Sequence, residues 1–85
     1  MLPDAETIRK IAREVAAQVA GRTVKTDDQK LVSSGLIDSL SVLKLISLLE
    51  KKLQVSIPPE TLQPEDFDDV NLIVETVERV AKPRG

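Results

Sequence analysis

Twice along this chain, apolar residues recur at i, i+3, i+4, i+7 and i+11. Ile8, Ile11, Ala12, Val15 and Val19 form the first series; Val42, Leu45, Ile46, Leu49 and Leu53 form the second. Only a helical repeat puts such residues on one face, so the spacing predicts helices over about 4–20 and from Asp38 or Ser39 to Leu53. Arg9, Lys10, Arg13, Glu14 and Gln18 fill the opposite face of the first, and Gly21 supplies its stop. Leu40, Leu43 and Leu48 fall off the main stripe of the second helix. A helix that apolar is either buried on two sides or presents apolar surface to a partner.

Between the two helices the periodicity dissolves for about 17 residues, from Gly21 to Ile37. Thr23, Thr26, Asp27, Asp28, Ser33, Ser34 and Gly35 are turn formers, whereas Leu31, Val32, Leu36 and Ile37 look like anchors onto a core. Connections of that length in compact domains are commonly functional, and the anchors favour an ordered loop. After Ile57-Pro58-Pro59 a helix cannot continue. Pro64 suits the first turn of a short helix over Pro64 to Phe67. Asp68 or Asp69 then caps a last helix carrying Val70, Val74, Val77 and Ala81 inward with Ile73 alongside. The expected fold is all-α: a four-helix bundle of three longer helices and one short one. A single domain over 1–85 with a flexible tail at 82–85 is expected.

What the chain lacks narrows its chemistry. It has no Cys and no His, which removes the thiolate nucleophile, the usual general base and the commonest metal ligands. No nucleophile–base pair stands out, so the chain is read as a non-enzyme that binds or carries. Its 12 basic and 14 acidic residues are too balanced for a nucleic-acid footprint, and no basic recognition helix is present. No apolar run approaches the ~20 residues that cross a bilayer. Met1-Leu2-Pro3-Asp4 lacks the basic and apolar regions of a signal peptide, so a cytoplasmic monomer is expected.

The informative stretch is Gly35-Leu36-Ile37-Asp38-Ser39-Leu40, a loop feeding directly into an apolar helix. It places a hydroxyl beside an acidic residue at a helix start, where unpaired amides and the helix dipole favour an anion. A phosphodiester on Ser39 would stand in that field. Ser and Asp are also the commonest caps, so the residues alone leave two readings open: a modified serine, or a plain cap.

Leu-Val-Ser-Ser-Gly-Leu-Ile-Asp-Ser-Leu at 31–40 resembles the phosphopantetheine attachment motif of the acyl and peptidyl carrier protein family. The Leu-Leu-Glu-Lys-Lys-Leu close at 48–53, Ile57-Pro58-Pro59-Glu60 and Pro64-Glu65-Asp66-Phe67 extend the likeness, in order and spacing, over nearly the whole chain. The resemblance implies a 4′-phosphopantetheine arm, derived from coenzyme A, on Ser39 with Asp38 as its acidic neighbour. It implies a discrete carrier that delivers acyl or aminoacyl thioesters, of the kind used in fatty acid, polyketide or nonribosomal peptide biosynthesis. The implied partners are a phosphopantetheinyl transferase, a loading ligase and downstream synthase or transferase enzymes, gripping Leu40, Leu43, Lys44 and Ser47. The working thiol then belongs to the cofactor, which accounts for a chain without Cys.

One feature departs from that family's usual pattern. Carriers of fatty acid synthesis resemble acidic rods along the second helix, whereas residues 39–53 here hold Lys44, Lys51 and Lys52 against Glu50, a net of +2. Charge complementarity sets on-rate and partner choice, so dedicated partners of a specialised pathway are expected. The acidic group Glu65, Asp66, Asp68 and Asp69 is read as helix capping. A calcium loop counted from Asp66 would need Gly and Glu where Asn71 and Val77 stand. Leu40 and Leu43 either dock partners or pack beneath the 21–37 loop. The competing function is an unmodified helical interaction module in which Ser39 only caps a helix.

Overall fold

The computed structural model describes residues 2–58, 60 and 62–84. Helix α1 spans Ala5–Ala20, α2 Ser39–Leu53 and α3 Val70–Val80. A 3-10 turn, Pro64–Phe67, precedes α3. The expected short fourth helix is therefore one tight turn, and the fold is three α-helices with that turn beside them. It is also not purely helical. Val55–Ser56 (β1) pairs antiparallel with Lys82–Pro83 (β2), within the stretch expected as a tail. The Arg84 amide adds a hydrogen bond to the Gln54 carbonyl at 3.1 Å. Two residues per strand carry no periodicity to read, and Pro83 argues locally against a strand. Pro59 and Gly85, named in the sequence reading, lie outside the described residues.

The helix limits follow from caps. Asp4 accepts from the Thr7 amide at 2.7 Å and starts α1; Gly21, in the left-handed region at φ 73°, ends it and donates to the Ala17 carbonyl. Asp69 accepts from the Leu72 amide at 2.7 Å and starts α3. Both expected stripes are inward, with Ile8, Ala12, Val15, Val42, Leu45, Ile46, Leu49 and Leu53 all buried. They pack on Val70, Ile73, Val74 and Val77 of α3 around Phe67, the only aromatic residue, which is fully buried.

The long loop is ordered by the same core. Leu31 and Ile37 are buried as anchors, with Val24 added, while Val32 and Leu36 are half-buried. Three consecutive amides of its backbone are taken up by one residue. The Asp68 carboxylate accepts from the amides of Val32 and Ser33, each at 2.8 Å, and the Asp68 carbonyl accepts from the Leu31 amide at 2.6 Å. The Ile37 amide donates to the Leu31 carbonyl at 2.8 Å, closing the loop just before α2. Further along, Asp27 receives Arg9 at 2.8 Å and also Arg13, and its carbonyl accepts from the Asn71 amide at 3.1 Å. The loop is thus pinned to α1 and α3 at Asp27, and at Leu31–Ser33 to Asp68 between the 3-10 turn and α3.

Partial burial pushes the Asp68 carboxyl upward, but the amides of Ser33, Val32 and Leu31 together hold it below the ordinary carboxylate value. A carboxyl depressed in the folded state contributes stability above its unfolded value, near pH 4, and loses it as pH falls through the lower folded one. Asp68→Ala should lower unfolding stability by about 1–2 kcal/mol at neutral pH, measured by urea denaturation. Asp68→Asn should lose stability less steeply than the parent as pH drops below about 4. An Asp68→Ala variant as stable as the parent would show that the loop is held by its apolar anchors alone.

Candidate functional site

Helix α2 begins where the loop is released from its clamp, and two adjacent residues divide the work. Asp38 is the cap: its backbone is extended (φ −82°, ψ 171°) and its side chain accepts from the Ser41 amide at 2.8 Å. That backbone hydrogen bond from Ser41 is the main cause holding the Asp38 carboxyl below its ordinary value. Ser39 is the first helical residue. Its side chain is exposed, and among the described residues its hydroxyl has no hydrogen-bond partner. The plain-cap reading of the serine therefore fails on geometry, since the neighbouring carboxylate already holds the cap.

The surroundings of that hydroxyl are polar above and apolar beside. The first-turn amides of α2 lack intrahelical acceptors, as at every helix start, and the positive end of the dipole faces the same way. On one flank a cleft of about 100 Å³ is lined by Ser39, Val42, Leu43, Ile46, Leu62 and Phe67, with Gln63 and Pro64 at its edge. It lies between α2 and the 3-10 turn. Leu62, Gln63 and Phe67 escaped the site reading because nothing in their local pattern ties them to residue 39. The fragment Pro64-Glu65-Asp66-Phe67 carried only a family likeness.

Leu40 and Leu43, the latter also on the cleft's wall, stand 80% and 61% exposed, the two large apolar side chains left out of the core among the described residues. They do not pack beneath the loop. Lys44 and Ser47 are exposed as well, so the four residues named for docking all face solvent. The acidic group near α3 is occupied structurally: Asp69 caps α3, Asp68 clamps the loop and Asp66 accepts from the Gln63 amide at 2.9 Å.

Residues 6–77 match the family model for the phosphopantetheine attachment site. The chain belongs to that family. A D-alanyl carrier protein from Lactobacillus delbrueckii subsp. bulgaricus is 24% identical over 74 residues, covering 86% of this chain and 92% of the relative. One from Streptococcus uberis is 36% identical over 53 residues, covering 62% and 67%. The chain is a carrier protein whose cofactor is covalent 4′-phosphopantetheine, serving acyl or aminoacyl transfer in a specialised pathway. The residues present suit that group: a free hydroxyl, a helix start that favours phosphate, and open space around both. Among the described residues no helix is long and apolar enough to cross a membrane.

Because the cap needs an acceptor and not a charge, Asp38→Asn should melt close to the parent at neutral pH. Asp38→Ala should melt lower and speed hydrogen exchange at the Ser41 amide, read by NMR. Equal exchange in all three proteins would show that Asp38 does not set the helix start.

Proposed function

We propose that Ser39 carries the phosphopantetheine arm and that the region 2–84 acts as one non-catalytic carrier domain with the four-helix arrangement of its family. The observation that carries this is the division between Asp38 and Ser39. The acidic residue holds the helix start, and the serine hydroxyl is left unbonded and exposed beside it. When bound, the arm supplies a thiol on a long flexible chain, on which cargo is held as a thioester. The chain's own residues then anchor the phosphate at the α2 N-terminus, keep the arm's root rigid and present the docking face. Confinement near each partner raises the local concentration of cargo without lowering any chemical barrier.

An aminoacyl or short acyl cargo is favoured. The curated relatives carry D-alanyl groups by name. The cleft beside Ser39 is small, about 100 Å³, which suits a small cargo. The protein works as a cytoplasmic monomer, loaded by a carboxylate-activating ligase after a phosphopantetheinyl transferase has modified it.

Incubation with coenzyme A and a broad-specificity phosphopantetheinyl transferase should add one phosphopantetheinyl group by intact mass. Ser39→Ala, which removes no hydrogen bond or buried group, should stay folded and gain nothing. Modification of the Ser39→Ala protein would sink the assignment to this residue. No modification of the folded parent, even with the transferase of its own source, would sink the proposal.

A further inference from the structure

The buried stripe of α2 is not sealed along its whole length. Leu45 and Leu49 have no exposure, whereas Val42 and Ile46 keep 4% and 9%. Both of these line the cleft beside Ser39, as does Leu43. Ser39, Val42, Leu43 and Ile46 stand at i, i+3, i+4 and i+7, a row that starts at the serine and runs along the α2 wall of the cleft. Half-buried Leu62 and fully buried Phe67 close it from the side of the 3-10 turn. That turn is fixed from behind, because the buried Thr76 hydroxyl of α3 donates to the Asp66 carbonyl at 3.0 Å. The attachment residue therefore opens directly onto a small apolar recess with a held wall.

We propose that this recess seats the root of the phosphopantetheine arm, the branched dimethyl carbon next to the phosphate, and is thereby closed to the cargo. The inference rests on the reading of Ser39 as the attachment residue and adds where the arm first touches the protein. Reach decides between root and cargo. The dimethyl carbon is four bonds from the serine oxygen, about 5 Å at ordinary bond lengths. Residues three and four places along a helix stand about 5–6 Å away, which is the spacing from Ser39 to Val42 and Leu43. The thiol lies about ten bonds farther out, ~12 Å when extended, so cargo enters only if the arm doubles back on itself. Chemistry points the same way. The dimethyl carbon is the most apolar part of the arm and gains from leaving water, whereas the two amides beyond it would lose hydrogen bonds by entering an apolar recess. Holding the root also shortens the free tether, which confines the thiol more closely at a partner. A recess filled in this way has no room for a folded-back acyl chain, so it too favours a small cargo carried outside the protein.

The probe is coenzyme A carrying ¹³C in its two pantoyl methyl groups, transferred to the protein and checked by intact mass. In the modified protein the methyl signals should move upfield of those in free coenzyme A, through the Phe67 ring, and show NOEs to Leu62 and Val42. Leu62→Ala, taken up only if circular dichroism shows it folded, should lose those NOEs and bring the signals back toward the free values. Lys51→Ala, on the exposed side of α2, should change neither. Loading from the octanoyl form of the same labelled coenzyme should leave the pantoyl contacts in place. Methyl signals in the modified parent that match free coenzyme A would overturn the proposal, because the root would then hang in solvent. Octanoyl contacts to Phe67 in place of the pantoyl ones would overturn it in favour of a cargo pocket. A parent that gains no mass fails the Ser39 reading and this one with it, whereas a modified parent without the contacts fails this one alone.

Discussion

A loop of about 17 residues has to be fixed before Ser39 can have a defined position, and the contacts of Asp68 do this. Its carboxylate and its carbonyl take three consecutive amides, Leu31, Val32 and Ser33, at the point where the loop turns toward α2. Those amides would otherwise be donors without partners beside buried Leu31, which is the costly arrangement. Asp68 sits between the 3-10 turn and α3, so the loop takes its position from the same corner that holds Phe67 in the core. The start of α2 and the rim of the cleft are in this way referenced to one another. An arm rooted at Ser39 leaves the protein from a fixed point, although the arm itself is flexible.

The parts legible in the sequence were those governed by period. Both long stripes, the α2 span Ser39–Leu53 and the inward residues of α3 follow from the 3.6-residue repeat, because burial of one face decides those segments. Leu31 and Ile37 were legible as anchors because large apolar residues in a polar loop need a core to enter. The β1–β2 ladder was not. It comes from the chain ends of two helices meeting, and in four residues that include a proline no alternation can be seen. Asp68 and Glu50 show the same limit: a carboxylate that clamps a backbone 35 residues away looks, in sequence, like any surface acid. The site was legible as a pair, Asp38 and Ser39, but which of the two was the cap is a matter of side-chain direction.

That direction has a chemical consequence. Had Ser39 capped the helix, its hydroxyl would have been engaged at a backbone amide, and attachment of a phosphate there would have had to displace that hydrogen bond. With Asp38 as the cap, modification of the next residue leaves the Ser41 hydrogen bond in place. The order Asp-then-Ser separates structural duty from chemical duty by one residue. The Ser41 amide holds the Asp38 carboxyl below its ordinary value, so the cap is an ionised acceptor throughout the neutral range.

The same economy shapes the outer face of α2. Glu50 has no lysine three or four residues away on its own helix, and a surface pair would in any case contribute little stability. The structure spends it on the Ile57 amide instead, where the chain leaves β1. An amide beside buried Val55 and Ile57 needs an acceptor more than an exposed ammonium needs a counter-ion, because water solvates the ammonium and not the amide. Folding thereby removes the only carboxylate from a face that already holds two exposed leucines. The basic, apolar character of that face, Lys44 and Lys51 beside Leu40 and Leu43, is then a property of the folded helix, and it is this folded surface that any partner meets.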